Sequence, residues 1–109
     1  MNYEQKQKET LQKAILTFGK PAQLNQVMEE CAELIKECSK AIRGKKNRPC
    51  IIEEVADVYI MLSQLRMMFE IGDAELKELL DYKIRRLGER LDELESEVKN
   101  DEKNYAVQP

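Results

Sequence analysis

Residues 51–65, IIEEVADVYIMLSQL, constrain the fold more than any other stretch of the sequence. The stretch is long enough for about four helical turns, and outside its three acids nearly every residue is apolar or small. At about 100° per residue, Glu54 and Asp57 fall on or beside the face that also carries Met61. The pattern predicts a helix that is enclosed on most sides and directs two carboxylates into its own core.

Helical periodicity extends over most of the chain, and no strand or repeat pattern interrupts it. We predict helices over residues 3–18, 22–43, 49–69 and from 73 to about 98. Gly44 is expected to end the second helix, an IGD sequence to end the third, and Asp73 to cap the fourth. Short loops between long helices favour antiparallel neighbours, so the predicted fold class is all-α, a four-helix bundle.

Composition limits the classes of function. At 109 residues the chain predicts one helical domain over residues 1–98 and a flexible tail over 99–109. A net charge of −3 disfavours nucleic acid as a partner. The polar N-terminus predicts no signal peptide, and no apolar run reaches the length of a membrane span. Three cysteines without CxxC spacing predict a cytoplasmic protein, with Cys31 and Cys38 as reduced core residues.

The second helix supplies further acids through the sequence EECAELIKE. Glu30 and Glu33 lie on a strip beside its apolar stripe, together with Gln26 and Glu37. If the second and third helices pack antiparallel, Glu30 and Glu33 can face the two acids of the third helix. An oxygen-only cluster in a chain without histidine suits Mg²⁺, with Mn²⁺ as an alternative, and fits Zn²⁺, haem or a ferritin-like di-iron centre poorly.

Structural interpretations compete with this metal site. Acids on helices usually face solvent, and we expect this of Glu29, Glu37 and Glu53. Lys83 is a candidate for a purely structural ion pair with the buried acids. Lys40 and Arg43 are either substrate-binding cations or simply favourable charges at a helix C-terminus.

The order of EECAEL and EEVADV resembles the ExxE…ExxD signature of the MazG-like all-α nucleoside triphosphate pyrophosphohydrolases. The resemblance runs from about Gln23 to Arg90 and is closest to the short phage and Gram-positive bacterial members. The segments that carry it are EECAELIKECSKAIRGK, IIEEVADVYIMLSQL and YKIRRLGERL. It implies hydrolysis of an NTP or dNTP to a monophosphate and pyrophosphate, in a nucleotide-pool house-cleaning role.

The same resemblance implies roles for individual residues. The metal ligands would be Glu30, Glu33, Glu54 and Asp57. Magnesium would bridge phosphate oxygens and generate the attacking water, with a glutamate such as Glu30 or Glu33 as the base; the spacing does not say which. Lys83 and Arg86 match the family's K-x-x-R segment, and the further substrate-binding candidates are Lys40, Arg43 and Gln26.

Two departures from the family pattern concern base specificity. Phe18 stands where the family often has tryptophan, and Tyr59 where an acid is frequent. The alternative functions are a phosphoribosyl-ATP pyrophosphohydrolase and a non-catalytic helical partner-binding module. The all-round apolar third helix and the leucine seam of the fourth predict a homodimer or homotetramer, because exposed apolar surface of that size usually marks an interface.

Overall fold

The computed structural model describes the backbone of residues 2–107 and the side chains of residues 2–104. Within these residues it contains four helices and no strands, so the predicted all-α class is confirmed. The helices are α1 (Gln5–Phe18), α2 (Lys20–Ile42), α3 (Arg48–Met68) and α4 (Asp73–Val107).

The chain forms two compact units. The first extends through Ile71 and contains α1, α2 and α3, and the second begins at Gly72 and contains α4. The predicted four-helix bundle and the predicted oligomer therefore stay predictions. Helix α4 continues without a break from Val98 to Val107. The flexibility predicted for residues 99–109 stays a prediction, and its last two residues lie outside the described part of the chain.

Helices α2 and α3 pack against each other in antiparallel orientation, as predicted. Near the start of α2, the Gln23 amide donates a hydrogen bond to Oε1 of Gln64 near the end of α3. At the opposite end of the pair, Asn47, which immediately precedes α3, donates hydrogen bonds to Glu37. These contacts fix the register of the two helices, which decides which side chains face each other at the middle.

The interior of the first unit is small and partly polar. Met61 is the one apolar side chain among the described residues that is buried, whereas Gln64 is only 2% exposed. Gln64 Nε2 also donates to the carbonyl oxygen of Leu11 at 3.5 Å, and the hydroxyls of Tyr3 and Ser63 lie 2.8 Å apart. Polar contacts thus connect α1, and Tyr3 just before it, to α3 where the apolar core is thin.

Two of the three connections between helices have a glycine with positive φ, whereas the third has a glutamate in that conformation. Gly19, with φ of 89°, separates α1 from α2. Gly44, with φ of 85°, ends α2 as predicted, since its N–H donates to Ala41 and that of Lys45 to Lys40, the Schellman pattern. Glu70, rather than a glycine, adopts the left-handed conformation after α3, with φ of 52°.

The junction between α3 and α4 differs from the prediction in a second detail. The N–H of Leu76 donates to the carbonyl oxygen of Gly72, so Asp73 lies in the first turn of α4 and not at the cap. In either position an acid complements the helix macrodipole. No helix in the described part of the chain combines the length and apolar composition that crossing a membrane requires.

Candidate metal centre

Three of the four predicted carboxylates meet at the middle of the α2–α3 interface. Glu30 of α2 and Glu54 and Asp57 of α3 each contribute one oxygen, and the three oxygens lie within 4.8 Å of one another. All three side chains are half-buried. The expectation that antiparallel packing brings acids of α2 against acids of α3 is confirmed for this set.

The register of the two helices explains this convergence. Gln23 pairs with Gln64, and moving seven residues along each helix in opposite directions leads to Glu30 and Asp57. Seven residues are close to two helical turns, so the same faces meet again. Glu54 lies three residues before Asp57, on the same side of α3.

Glu54 is the member of the set whose negative charge is least stabilised by its surroundings. Its Oε2 atom is shielded from solvent and has no hydrogen-bond partner among the described residues. Desolvation is the largest cause that raises the pKa of Glu54 above its ordinary value. The neighbouring negative charges that raise this pKa further belong to Asp57, Glu30, Glu33 and Glu53. Oε2 is therefore shielded from water, and the neighbouring charges that shift this pKa are all negative.

Gln26 positions one oxygen of the cluster. Its Nε2 donates a hydrogen bond of 2.8 Å to Oε1 of Glu30, four residues later on α2. An amide donor on one carboxylate oxygen fixes the rotamer and leaves the second oxygen free for another partner. Gln26 was predicted to bind substrate; the structure gives it a contact with a predicted ligand, and its role toward substrate stays a prediction.

Glu33 lies outside the close set. It is exposed, and it is not among the three residues whose oxygens approach within 4.8 Å. Its charge nevertheless contributes to the raised pKa of Glu54, so its carboxylate is within electrostatic reach of the cluster. Its predicted roles as ligand and base stay predictions.

The chemistry of the three ligands fits a hard divalent cation. Oxygens that bind Mg²⁺ at about 2.1 Å are at most about 4.2 Å apart, and Ca²⁺ tolerates separations of roughly 5 Å. The three oxygens lie within 4.8 Å of one another, so they suit Ca²⁺ as they stand, and Mg²⁺ requires them to approach by at most roughly 0.6 Å. Magnesium also takes ligands from substrate phosphates, so three protein oxygens are sufficient.

An open cavity of about 320 Å³ in the first unit is lined in part by Gln26, the residue that donates to Glu30. Its lining residues are Phe18, Ala22, Gln23 and Gln26. Gln26 therefore joins the cavity to Glu30. Phe18 supplies an aromatic surface, and the two amides supply hydrogen-bonding groups. The sequence indicated Phe18 through the family resemblance, as the residue that stands where the family often has tryptophan.

The expectation that Glu37 faces solvent is wrong. Glu37 is buried, and its Oε2 accepts from Nδ2 of Asn47 at 3.0 Å, while its Oε1 lies 3.2 Å from Nζ of Lys40. The hydrogen bond from Asn47 is the largest influence on the pKa of Glu37, which lies below its ordinary value. Asn47 also donates to the Glu37 carbonyl oxygen at 2.9 Å. The sequence feature that corresponds to this contact is Asn47, just before the helix that begins with Arg48 and Pro49. From sequence alone, an asparagine in that position predicts a helix cap, not a contact with Glu37.

Of the predicted substrate-binding cations, Lys40 lies on α2, Arg43 directly follows α2, and the other two lie on α4. Lys40 pairs with Glu37, and Arg43 donates to Oγ of Ser39 at 3.0 Å, so both have local partners on α2. Lys83 and Arg86 are exposed and lie three residues apart on α4. Binding of phosphate by any of the four stays a prediction.

The cysteines are unpaired by disulfides. All three are free; Cys31 is half-buried, whereas Cys38 and Cys50 are exposed. The expectation that Cys38 is a core residue is therefore wrong, because its side chain is exposed.

Comparison of the chain with models of known protein families, with curated proteins and with solved structures finds no match. The functional assignment consequently depends on the geometry of the cluster and on the sequence motifs.

Proposed function

We propose that the protein is a Mg²⁺-dependent nucleoside triphosphate pyrophosphohydrolase that converts an NTP or dNTP to a monophosphate and pyrophosphate. The observation that carries the proposal is the close approach of the Glu30, Glu54 and Asp57 carboxylates around a shielded, unpartnered oxygen of Glu54. Three acids in contact repel one another unless a cation or protons compensate them, and a phosphate-binding metal is the compensation that an oxygen-only set favours.

The chain's own groups have separable tasks in this proposal. Glu30, Glu54 and Asp57 hold the cation, and Gln26 orients Glu30 through its hydrogen bond. When bound, Mg²⁺ supplies positive charge to the triphosphate and polarises a phosphorus–oxygen bond. Glu33, which is exposed at the edge of the cluster, is the carboxylate free to accept a proton from water at its side-chain oxygen.

The cavity beside Gln26 is the proposed location of the nucleobase. The ring of Phe18 offers a stacking surface, and the amides of Gln23 and Gln26 offer donors and acceptors to the base edge. Lys83 and Arg86 remain proposed triphosphate-binding residues through the family resemblance. The proposed setting is a cytoplasmic homodimer or homotetramer that removes unwanted nucleotides.

A panel of NTPs and dNTPs with Mg²⁺ tests this function. Products are separated to distinguish pyrophosphate plus monophosphate from inorganic phosphate plus diphosphate. We expect the first product pair, with loss of turnover in Glu54→Gln and retained turnover in Glu53→Gln, an exposed neighbour on the same helix. Release of inorganic phosphate, or full activity in Glu54→Gln, would contradict the assignment.

A further inference from the structure

Helix α4 carries an uninterrupted apolar seam with heptad spacing. Its members, at alternating steps of four and three residues, are Leu80, Ile84, Leu87, Leu91, Leu94 and Val98. Each of these side chains is between 47% and 65% exposed. In heptad notation Ile84, Leu91 and Val98 occupy a positions, and the three remaining leucines occupy d positions. A seam of this kind is stable when a second helix covers it.

Charged residues mark the two ends of the seam. Lys77 occupies the a position before Leu80, and Asp101 occupies the d position after Val98. These two positions carry opposite charges. Their signs discriminate between possible partners, because a covering helix brings one of its own residues against each of them.

The middle of α4 and its C-terminal part also differ in charge, whereas its first ten residues, 73–82, contain four acids and one lysine. Residues 83–90 contain four basic residues and one acid, whereas residues 92–102 contain six acids and one lysine. In a copy that runs in the opposite direction, residues 83–86, with three basic side chains, can face residues 92–95, with three acids. In a copy that runs in the same direction, the two basic segments would face each other, and so would the two acidic segments.

We propose that α4 pairs with α4 of a second copy of this chain as an antiparallel two-stranded coiled coil, with the twofold axis beside Glu89. This pairing rests on the seam and charges of α4 alone and does not depend on the proposed enzymatic activity. The predicted dimer thereby acquires a specific interface, orientation and register.

The register follows from matching the seam to itself in reverse. Leu87 then meets Leu91 of the second copy, and outward from the axis Ile84 meets Leu94 and Leu80 meets Val98, so every seam residue has an apolar partner. At the ends, Lys77 meets Asp101. Gly88 faces Gly88 of the second copy near the axis, where a missing side chain allows close approach of the helices.

Flanking charges agree with the same register. Lys83 and Glu97 occupy g positions that face each other in the antiparallel pair, and symmetry makes this contact twice. Asp81 approaches Glu95 of the second copy, but the ion pair of Asp81 with Lys77 at 2.7 Å reduces that repulsion. The two copies of Arg90 also approach each other, and symmetry makes the Asp81–Glu95 approach twice, so the contacts of Lys83 and Lys77 must outweigh three unfavourable pairs.

The parallel alternative is less favourable. It stacks Lys77 on Lys77 and Asp101 on Asp101 within the seam, and it places Glu97 against Glu102. Arg90 with Glu95 is its one attractive pair. Because Glu97 faces Lys83 in the antiparallel pair and Glu102 in the parallel pair, Glu97→Lys weakens the first orientation and strengthens the second.

A charge cycle on the full-length protein tests the pairing. The variants are Lys83→Glu, Glu97→Lys and the double exchange, with dimer dissociation constants measured by sedimentation equilibrium and helicity checked by circular dichroism. For antiparallel pairing, each single change replaces two attractions by two repulsions and weakens the dimer on the order of tenfold, and the double exchange restores it. Tighter association of Glu97→Lys would show parallel pairing and overturn the proposal, as would a monomeric wild type or unchanged constants.

A distance measurement gives an independent readout. Asn100→Cys in a background with the three native cysteines replaced by serine accepts one spin label per chain. At a rise of 1.5 Å per residue, antiparallel pairing separates the two labels by roughly 33 Å along the axis, whereas parallel pairing keeps them within about 20 Å of each other. The longer distance supports the proposal and the shorter one overturns it.

Discussion

Asn47 holds Glu37 through two hydrogen bonds from one amide nitrogen, at 2.9 Å to the backbone carbonyl oxygen and 3.0 Å to Oε2. The contact connects the residue before α3 to the last turns of α2. It closes the basic loop between the two helices and sets their register from one end. The carboxylate cluster at the middle of the pair depends on that register.

The pKa of Glu37 makes this contact sensitive to acid. A lowered folded-state pKa contributes stability above the ordinary value of 4.5, and that stability is lost as pH falls below it through the folded-state pKa. We expect the urea midpoint of Glu37→Gln to decline less steeply than that of wild type below about pH 4.5. Glu29→Gln, an exposed acid on the same helix, is the matched control and should follow the wild-type slope. Equal slopes for all three proteins would remove Glu37 from this role.

Much of the fold was accessible to sequence reasoning because the helices are long and periodic. The all-α class, the antiparallel α2–α3 pair and the end of α2 at Gly44 follow from apolar spacing and one glycine. Burial of Glu37 was not predictable from spacing, because its helical position alone does not reveal that Asn47 reaches back from the loop. Glu70 was missed for a related reason, since Gly72 offered the more usual helix stop.

The cluster was predictable in outline and not in membership. Spacing on one helix places Glu54 and Asp57 together, and an antiparallel partner adds an acid from α2. Glu30 and Glu33 lie just under one helical turn apart on α2. Which of them faces the acids of α3 therefore depends on the register of the two helices, which the hydrogen bond of Gln23 to Gln64 fixes. A helical wheel shows the faces of one helix and does not give its register against a neighbour.

Glu70 offers a test of backbone strain. A residue other than glycine in the left-handed region costs about 1 kcal/mol or more, and the φ of Glu70 is 52°. We expect Glu70→Gly to raise the free energy of unfolding by roughly 0.5–1 kcal/mol in urea denaturation. Glu70→Ala, which removes the side chain and keeps the strain, should leave it nearly unchanged. A destabilised Glu70→Gly protein would show that the side chain of Glu70 matters more than its backbone.

The buried amide pair of Gln23 and Gln64 should show strong coupling. Gln64→Leu removes the acceptor of Gln23 and leaves a buried donor without a partner, which costs about 1–3 kcal/mol. In Gln23→Leu/Gln64→Leu no amide is left unpaired, and we expect much of the stability to return. Thermal denaturation of the two single variants and the double variant measures the coupling. Strict additivity would mean that the pair is not a unit.

Gln26 should affect metal binding without being a ligand. Loss of a hydrogen bond that orients a ligand typically lowers metal affinity by about 10- to 100-fold, and Gln26 donates to Glu30 at 2.8 Å. We therefore expect Gln26→Ala to weaken Mn²⁺ binding, measured by electron paramagnetic resonance, while Asn25→Ala on the exposed side of α2 leaves it unchanged. Equal affinities in both variants would separate Gln26 from the cluster.

Binding of Mn²⁺ to Glu54→Gln, measured by titration calorimetry alongside wild type and Glu53→Gln, tests the metal centre most directly. Glu54 contributes one of the three converging oxygens and carries the shielded, unpartnered Oε2. We predict that wild type and Glu53→Gln bind Mn²⁺ with similar affinity and that Glu54→Gln loses at least tenfold, with its helical content unchanged. Wild-type affinity in Glu54→Gln, or no Mn²⁺ binding by the wild-type protein with or without a nucleoside triphosphate, would contradict the account.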